Sequence, residues 1–265
     1  MTFLAFVAEY GAVAIILIGV FSFIAGFIDA VVGGGGLIQI PALLINLPKT
    51  PLPTLFGTNK IAALSGTSIA AFQYAKRIKF NYKLLITVAF FAGLASFLGA
   101  QTIQYINVNT LKPAVLFVLI AIAVYTFAKK DLGAIQSKTL TFKKQLIYGS
   151  LIGFVVGFYD GFFGPGTGSF FVLGFVVILG FEFVHASAYS KVINCMTNSA
   201  ALFVFIKQGN YLLDLAILMA ICNIIGNLVG TKLALNKGNQ FVRVVFLCIV
   251  TIMIIRYAYD IFFKA

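Results

Sequence analysis

Apolar runs of about twenty residues recur along this 265-residue chain, near positions 10–32, 55–75, 84–106, 111–128, 146–163, 186–206, 212–231 and 242–263. A bilayer core of roughly 30 Å takes about 20 apolar residues of helix to cross. Two shorter runs, 36–47 and 168–181, follow the glycine-rich segments Gly33-Gly34-Gly35-Gly36 and Gly164-Pro165-Gly166-Thr167-Gly168. At about 1.5 Å per residue, each short run reaches only half to two-thirds of the way across. Hydrophobic residues make up 61% of the chain and charged residues 10%, against about 45–50% and about 25% in soluble domains. Too few polar residues remain to coat a soluble surface. The expected fold class is therefore an all-α integral membrane protein, a polytopic helical bundle of eight long apolar segments and two short broken-helix segments. The run from Tyr10 to Val32 is too long for the apolar part of a signal peptide and is expected to stay as a membrane segment.

The chain repeats itself. Asp29 and Asp160 stand 131 residues apart, and the same offset relates Gly26 to Gly157, Phe27 to Phe158, Gly33 to Gly164, Lys60 to Lys191, Ser68 to Ser199 and Gly99 to Gly230. This ungapped register from residue 26 to 230 is the mark of an internal duplication. The charges then orient the copies. The net charge is +12, with 19 Lys and Arg against seven Asp and Glu. The basic residues form no continuous stripe, which argues against a nucleic-acid partner. Placing 76–83, 129–144 and 232–243 on the cytoplasmic side collects twelve of the 19 there, whereas the counterpart loops at 207–214 and 105–112 are poor in them. Corresponding loops thus fall on opposite sides, which the positive-inside rule reads as two inverted repeats. The expected organisation is an N-terminal transmembrane repeat over 1–128, a cytoplasmic linker over 129–144 and a C-terminal transmembrane repeat over 145–265. Each half must cross an odd number of times, by five crossings or by three plus a re-entrant hairpin at the glycine segment.

Within each half an acid, a glycine cluster and a lysine fall in or beside apolar stretches. A charged side chain at membrane depth costs roughly 2.5–3.5 kcal/mol or more, so it faces the protein interior or a wet cavity. Asp29 and Asp160 precede Gly33 and Gly164 by four residues, where the helix must end or break. They are candidates for proton coupling or for organising the turn, against the simpler role of capping backbone amides or pairing with a lysine. A glycine turn that opens a short helix offers unpaired N–H groups and a positive helix end to an anion. Broken helices at matching places in inverted halves point to a transporter's binding site. Gly33, Gly34, Gly35, Gly36, Gly164, Gly166 and Gly168 are therefore candidate substrate-binding residues; the alternative is glycine serving only a tight turn. Lys60 and Lys191, expected five or six residues into their helices, would neutralise an anion or pair with Asp29 and Asp160 when the site is empty. The alternative is a lysine reaching the interface along its apolar stem. Asn194, Asn198 and Ser199, with Ala63, Thr67 and Ser68 opposite, give a polar face that lines a pathway or bonds neighbouring helices; Asn198 and Ser199 join the candidate site. His185 reads as a residue of a short connection, and Cys195, Cys222 and Cys248 as small buried hydrophobes with no metal-binding spacing. No cofactor is implied, and neither a hydrolase triad, a Walker loop nor a dinucleotide fingerprint is present; catalysis is the weak reading.

Ala25-Gly26-Phe27-Ile28-Asp29-Ala30-Val31-Val32-Gly33-Gly34-Gly35-Gly36-Leu37-Ile38-Gln39-Ile40-Pro41 resembles the first signature of the TauE/SafE family of sulfite and organosulfonate exporters. Gly157-Phe158-Tyr159-Asp160-Gly161-Phe162-Phe163-Gly164-Pro165-Gly166-Thr167-Gly168-Ser169-Phe170 is similar to its second, and Thr58-Asn59-Lys60 to a recurring family element. The resemblance extends from about residue 20 to 260. It implies a multi-pass transporter of the cell membrane, typically prokaryotic, for small sulfur-containing anions such as sulfite or sulfonates. The partners expected are that anion and the lipid bilayer, with a homodimer left open. A sensor or assembly partner that transports nothing, and an anion channel, are the rival readings.

Overall fold

The computed structural model describes residues 8, 10–103 and 140–263. Every regular element among them is helical: α1 (Ala12–Val32), α2 (Gly36–Asn46), α3 (Leu52–Ala75), α4 (Tyr82–Thr102), α5 (Phe142–Phe162), α6 (Thr167–Gly174), α7 (Phe183–Lys207) and α8 (Leu213–Phe263). A π-helical turn, Phe175–Leu179, continues α6, and α8 breaks at Gly238, whose φ of 72° and ψ of −163° are not helical. The expected span at 111–128 and residues 129–139 of the expected linker lie outside the described residues. Helix α5 already begins at Phe142, so the last residues of the polar stretch are helical.

Among the described residues, three segments are long and apolar enough to cross a membrane: Ala12–Val32, Tyr82–Thr102 and Leu213–Ile249. The expectation of eight long apolar segments is met only in part. The runs at 55–75, 146–163 and 186–206 do form long helices (α3, α5 and α7). Their apolar character is diluted by residues such as Asn59, Lys60, Asp160, Lys191, Asn194 and Asn198. Those side chains are buried, while the outer faces are apolar: Ile86, Phe90, Leu94 and Leu98 form an exposed stripe on α4, and Ile217, Ile221, Ile225 and Leu228 another on α8. Spacing of three or four residues puts each set on one helix face. This polar-inside, apolar-outside arrangement suits a lipid surround.

Local chemistry sets the helix ends. Asn81 caps α4 by accepting a hydrogen bond from the Leu84 amide at 3.2 Å. Gly33 ends α1 in the left-handed region, φ 80°, with its amide bonded to the Asp29 carbonyl at 2.8 Å; Gly164 takes φ 89° after α5. A side chain at either position would strain the backbone. After each turn the chain folds back on itself. Gln39 of α2 donates to Ser22 of α1 at 3.0 Å, and Gly35 lies against Ala25 and Asp29. In the second hairpin, the Tyr159 hydroxyl donates to the Pro165 carbonyl at 2.7 Å, and Gly174 packs on Ile152. The glycine segments are thus the tips of two helical hairpins, α1–α2 and α5–α6.

The packing repeats with the sequence register. Helix α1 packs on α8 as α5 packs on α4; α3 packs on α8 as α7 packs on α4; and α3 packs on α7. Individual contacts follow suit. A Cβ at Gly26 would overlap the carbonyl of Asn223, and one at Gly157 that of Ala92, each pair related to the other by 131 residues. Gly99 against Phe158 and Gly230 against Phe27 form a second such set. Likewise the Thr58 hydroxyl accepts from the Leu212 amide at 2.9 Å, and the Tyr189 hydroxyl from the Asn81 amide at 2.7 Å.

Candidate functional site

Helices α3 and α7 supply the centre. They run antiparallel, since Gly57 lies beside Phe205, Lys60 beside Asn198, and Ser68 beside Cys195. Lys60 and Lys191 are each the ninth residue of their helix. That is deeper than expected from sequence, because α3 and α7 start about one turn earlier, at Leu52 and Phe183. Neither lysine runs along its stem to water: Lys60 is 4% exposed and Lys191 0%.

Each ammonium instead meets the aspartate of the other half. Lys60 Nζ lies 2.7 Å from Asp160 Oδ2, and Lys191 Nζ lies 3.0 Å from Asp29 Oδ2. Lys60 also donates to Asn198 Oδ1 at 2.9 Å, whereas Asp160 Oδ2 and Lys191 Nζ form no aligned hydrogen bond, so both lysine–aspartate contacts are ion pairs alone. Asp29 Oδ2 accepts a further bond from the Thr67 hydroxyl at 2.8 Å. Thr67 and Asn198 are themselves 131 residues apart. Asn198 is oriented in turn by its amide, which donates to Asn194 Oδ1 at 3.2 Å. The result is a buried cluster of two lysines and two carboxylates with no net charge. Desolvating four charges costs several kcal/mol per ion, and only close pairing with added hydrogen bonds offsets it.

The glycine tips close on this cluster. Gly33 and Gly168 meet backbone to backbone, so tightly that a Cβ on either would overlap the other. The Ser169 amide donates to the Gly33 carbonyl at 3.2 Å, and its hydroxyl to the Val32 carbonyl at 3.0 Å. Gly36 faces Pro165, and a Cβ on Gly164 would stand 3.5 Å from Lys60 Nζ. Gly34, Gly35 and Gly166 complete the two turns, with Gly166 at φ 83°. Helices α2 and α6 begin here, so their positive ends share the centre with the last turns of α1 and α5, which carry Asp29 and Asp160.

Most of the residues singled out from sequence therefore come together: both lysines, both aspartates, Asn198 and the glycines. Ser199 does not. It is exposed on the far face of α7, bonded to the Cys195 carbonyl one turn back at 2.8 Å. One residue beyond Asn198 is a 100° turn around the helix, which accounts for the error. Ser68 is likewise exposed. His185 is in the first turn of α7, not in a connection, and the free cysteines are half-buried (Cys195, Cys222) or exposed (Cys248) rather than buried.

Several polar groups escaped the sequence reading. Ser187 donates to the Val31 carbonyl at 3.0 Å and Ser190 to the Gly168 carbonyl at 3.1 Å, tying α7 to both tips. Ser22, Gln39, Asn223 and Asn227 form a second buried network beside α1 and α8. Their signal was an i, i+4 amide pair in an apolar run, at 223 and 227. Away from the charged cluster, a cavity of about 310 Å³ is lined by Lys79, Gln145, Glu182, His185 and Tyr189, among others.

A family model described as sulfite exporter TauE/SafE matches residues 18–257. The chain is 39% identical over 242 residues to a probable membrane transporter protein, ORF9, of Sinorhizobium sp, covering 90% of each chain. It is 35% identical over 238 residues to a probable membrane transporter protein of Haemophilus influenzae, covering 90% of this chain and 92% of the relative. The probable membrane transporter protein YfcA of Escherichia coli K12 is 33% identical over 251 residues, or 92% of this chain and 91% of its own length. No solved structure matches. With a family model spanning most of its length and relatives this similar, the chain belongs to the sulfite exporter TauE/SafE family of membrane transporters.

Proposed function

We propose that this protein is a secondary transporter of a small anion, a sulfur oxyanion or organosulfonate, bound between two inverted halves where the glycine tips meet Lys60 and Lys191. The observation that carries the reading is the pair of crossed ion pairs, Lys60–Asp160 and Lys191–Asp29. Two ammonium groups held by carboxylates at a helix-tip junction are preformed for an anion that takes the carboxylates' place. The amides of the tips and Asn198 add neutral donors, which an oxyanion with several acceptor oxygens uses at once.

Inversion of the halves is supported by α3 and α7, which are equivalent by register yet run antiparallel; a repeat about an axis in the membrane plane requires that of equivalent helices. In this arrangement 1–128 and 145–265 are the two repeats, the glycine hairpins enter from opposite faces, and 76–83, 129–144 and 232–243 lie in the cytoplasm of a prokaryotic cell. The sulfur chemistry comes from the family description, and the site's charge and donors are compatible with it. The chain carries no nucleotide-binding motif that would supply energy, so the reading assigns the driving force to an ion gradient or to the substrate's own gradient.

A thermal-shift series on the purified protein tests the reading. Thiosulfate, sulfite and short alkanesulfonates are expected to raise Tm in a concentration-dependent way, as ligands of the folded state do. The Lys60→Gln and Lys191→Gln variants, each destabilised by the carboxylate it leaves unpaired but still folded at the start of the thermal scan, should lose the shift. Equal shifts in both variants would remove the lysines from the site, and no shift with any sulfur anion would leave the protein a non-transporting component.

A further inference from the structure

The charge balance of the buried cluster has a consequence for coupling. We infer that each negative charge the substrate brings to Lys60 or Lys191 is accompanied by one proton taken up on the aspartate it displaces, so that anion and proton are carried together. The inference rests on the binding site proposed above and adds the coupling ion.

The centre holds two ammonium groups and two carboxylates in contact at 2.7 and 3.0 Å. Among the described residues, the other titratable groups close to Asp29 are Tyr74 of α3 and Cys195 of α7; a phenol and a thiol are ordinarily neutral near pH 7. Thr67 of α3 bonds Asp29, and α8 contributes the uncharged Asn223 and Asn227 next to α1 and α3. Around Asp160 stand Lys60 of α3 with Asn198 of α7, and Ser96 of α4 lies against the neighbouring Gly161. The empty cluster is therefore neutral. An anion that enters and draws Lys60 from Asp160 makes it net negative while both carboxylates stay charged. Lys60 and Asp160 are 6% and 3% exposed at the side chain, and Lys191 and Asp29 0% and 11%. Water cannot stabilise the surplus charge at such depth, and an uncompensated buried charge is the costliest state available. Protonating the released carboxyl restores neutrality. In the other pair, a neutral Asp29 carboxyl would still accept the bond from Thr67, and in either pair it gains a donor for the anion's oxygens. A monovalent anion would thus travel with one proton and a divalent anion with two, one from each crossed pair. The duplicated Asp–Lys pairing provides for both.

Binding of ethanesulfonate and of thiosulfate, neither of which titrates near neutral pH, to the full-length protein in detergent tests this by calorimetry between pH 6 and 9. For ethanesulfonate, Kd is expected to rise about tenfold per pH unit where the carboxyl is ionised in the free protein. The heat measured in two buffers of different ionisation enthalpy should report uptake of one proton per ethanesulfonate and two per thiosulfate. Asp160→Asn and Asp29→Asn imitate the protonated state; each should still bind ethanesulfonate, with less proton uptake, and together they should abolish the pH dependence. A pH-independent Kd with no buffer-dependent heat in the wild-type protein would overturn the inference while leaving the anion site intact. A pH slope that survives in the doubly substituted protein would assign it to the lysines and overturn it as well. Absence of anion binding at every pH would instead refute the site.

Discussion

Removing the Lys191 ammonium should be among the most damaging single changes the fold can suffer, and removing its partner at the same time should repair it. Lys191 is fully buried, 3.0 Å from Asp29. In Lys191→Met the apolar stem is retained and the charge is lost. Asp29 then keeps the 2.8 Å bond from Thr67 but has no cation. Breaking a buried ion pair from one side costs about 3–5 kcal/mol, because a carboxylate is left in a medium that cannot solvate it. Replacing both members by neutral groups is often neutral or stabilising, so Lys191→Met with Asp29→Asn should recover to within about 1 kcal/mol of wild type. The difference is a coupling energy of at least about 2 kcal/mol in a double-mutant cycle. Reversible unfolding in mixed micelles without added anion measures it. A single-variant cost under about 1 kcal/mol, or a double variant no better than the single, would refute the argument that the pair is buried and mutually dependent.

Two further outcomes follow from contacts that recur with the 131-residue register. Gly26→Ala and Gly157→Ala each drive a Cβ into the backbone of a neighbouring helix; overpacking of this kind costs about 1–3 kcal/mol. Gly19→Ala, which meets only the Cys222 sulfur at 3.6 Å, should be neutral or stabilising by about 0.5–1 kcal/mol. Unfolding midpoints that rank the three otherwise would count against the packing described. Tyr189→Phe leaves the Asn81 amide without its acceptor and Thr58→Val does the same to Leu212. Each should cost about 1–3 kcal/mol and speed hydrogen exchange at the amide concerned; unchanged exchange at both amides would contradict the bonds.

How much of this was legible beforehand depends on what duplication preserves. It preserves residue type and register, so Asp29 with Asp160, and Lys60 with Lys191, could be matched by position alone, and their burial argued from the cost of charge in an apolar run. It does not record which lysine reaches which aspartate. The crossing of the pairs is set by which hairpin tip each lysine meets in the packed bundle, and that is a tertiary fact. The hairpin tips were visible as glycine clusters, and Gly33 and Gly164 take the left-handed conformation that only glycine adopts without strain. The contact of Gly33 with Gly168 joins positions that are not equivalent by register, so no comparison of the halves could suggest it. Ser199 shows the limit of type matching: it repeats Ser68 faithfully, and both serines face outward, bonded or packed around Cys195. Thr67 and Asn198 differ in type at equivalent positions, so the repeat hid their common duty of holding one member of an ion pair each.

Flux measured in proteoliposomes is the most direct test of the central claim. Purified protein is reconstituted at known orientation, loaded with labelled thiosulfate or an alkanesulfonate, and assayed under imposed pH and ion gradients alongside Lys60→Gln and Lys191→Gln. Saturable flux of at least one sulfur anion is expected in the wild type, with its loss in both variants. Undiminished flux in the two folded variants, or none for any sulfur anion under any gradient in the wild type, would contradict it.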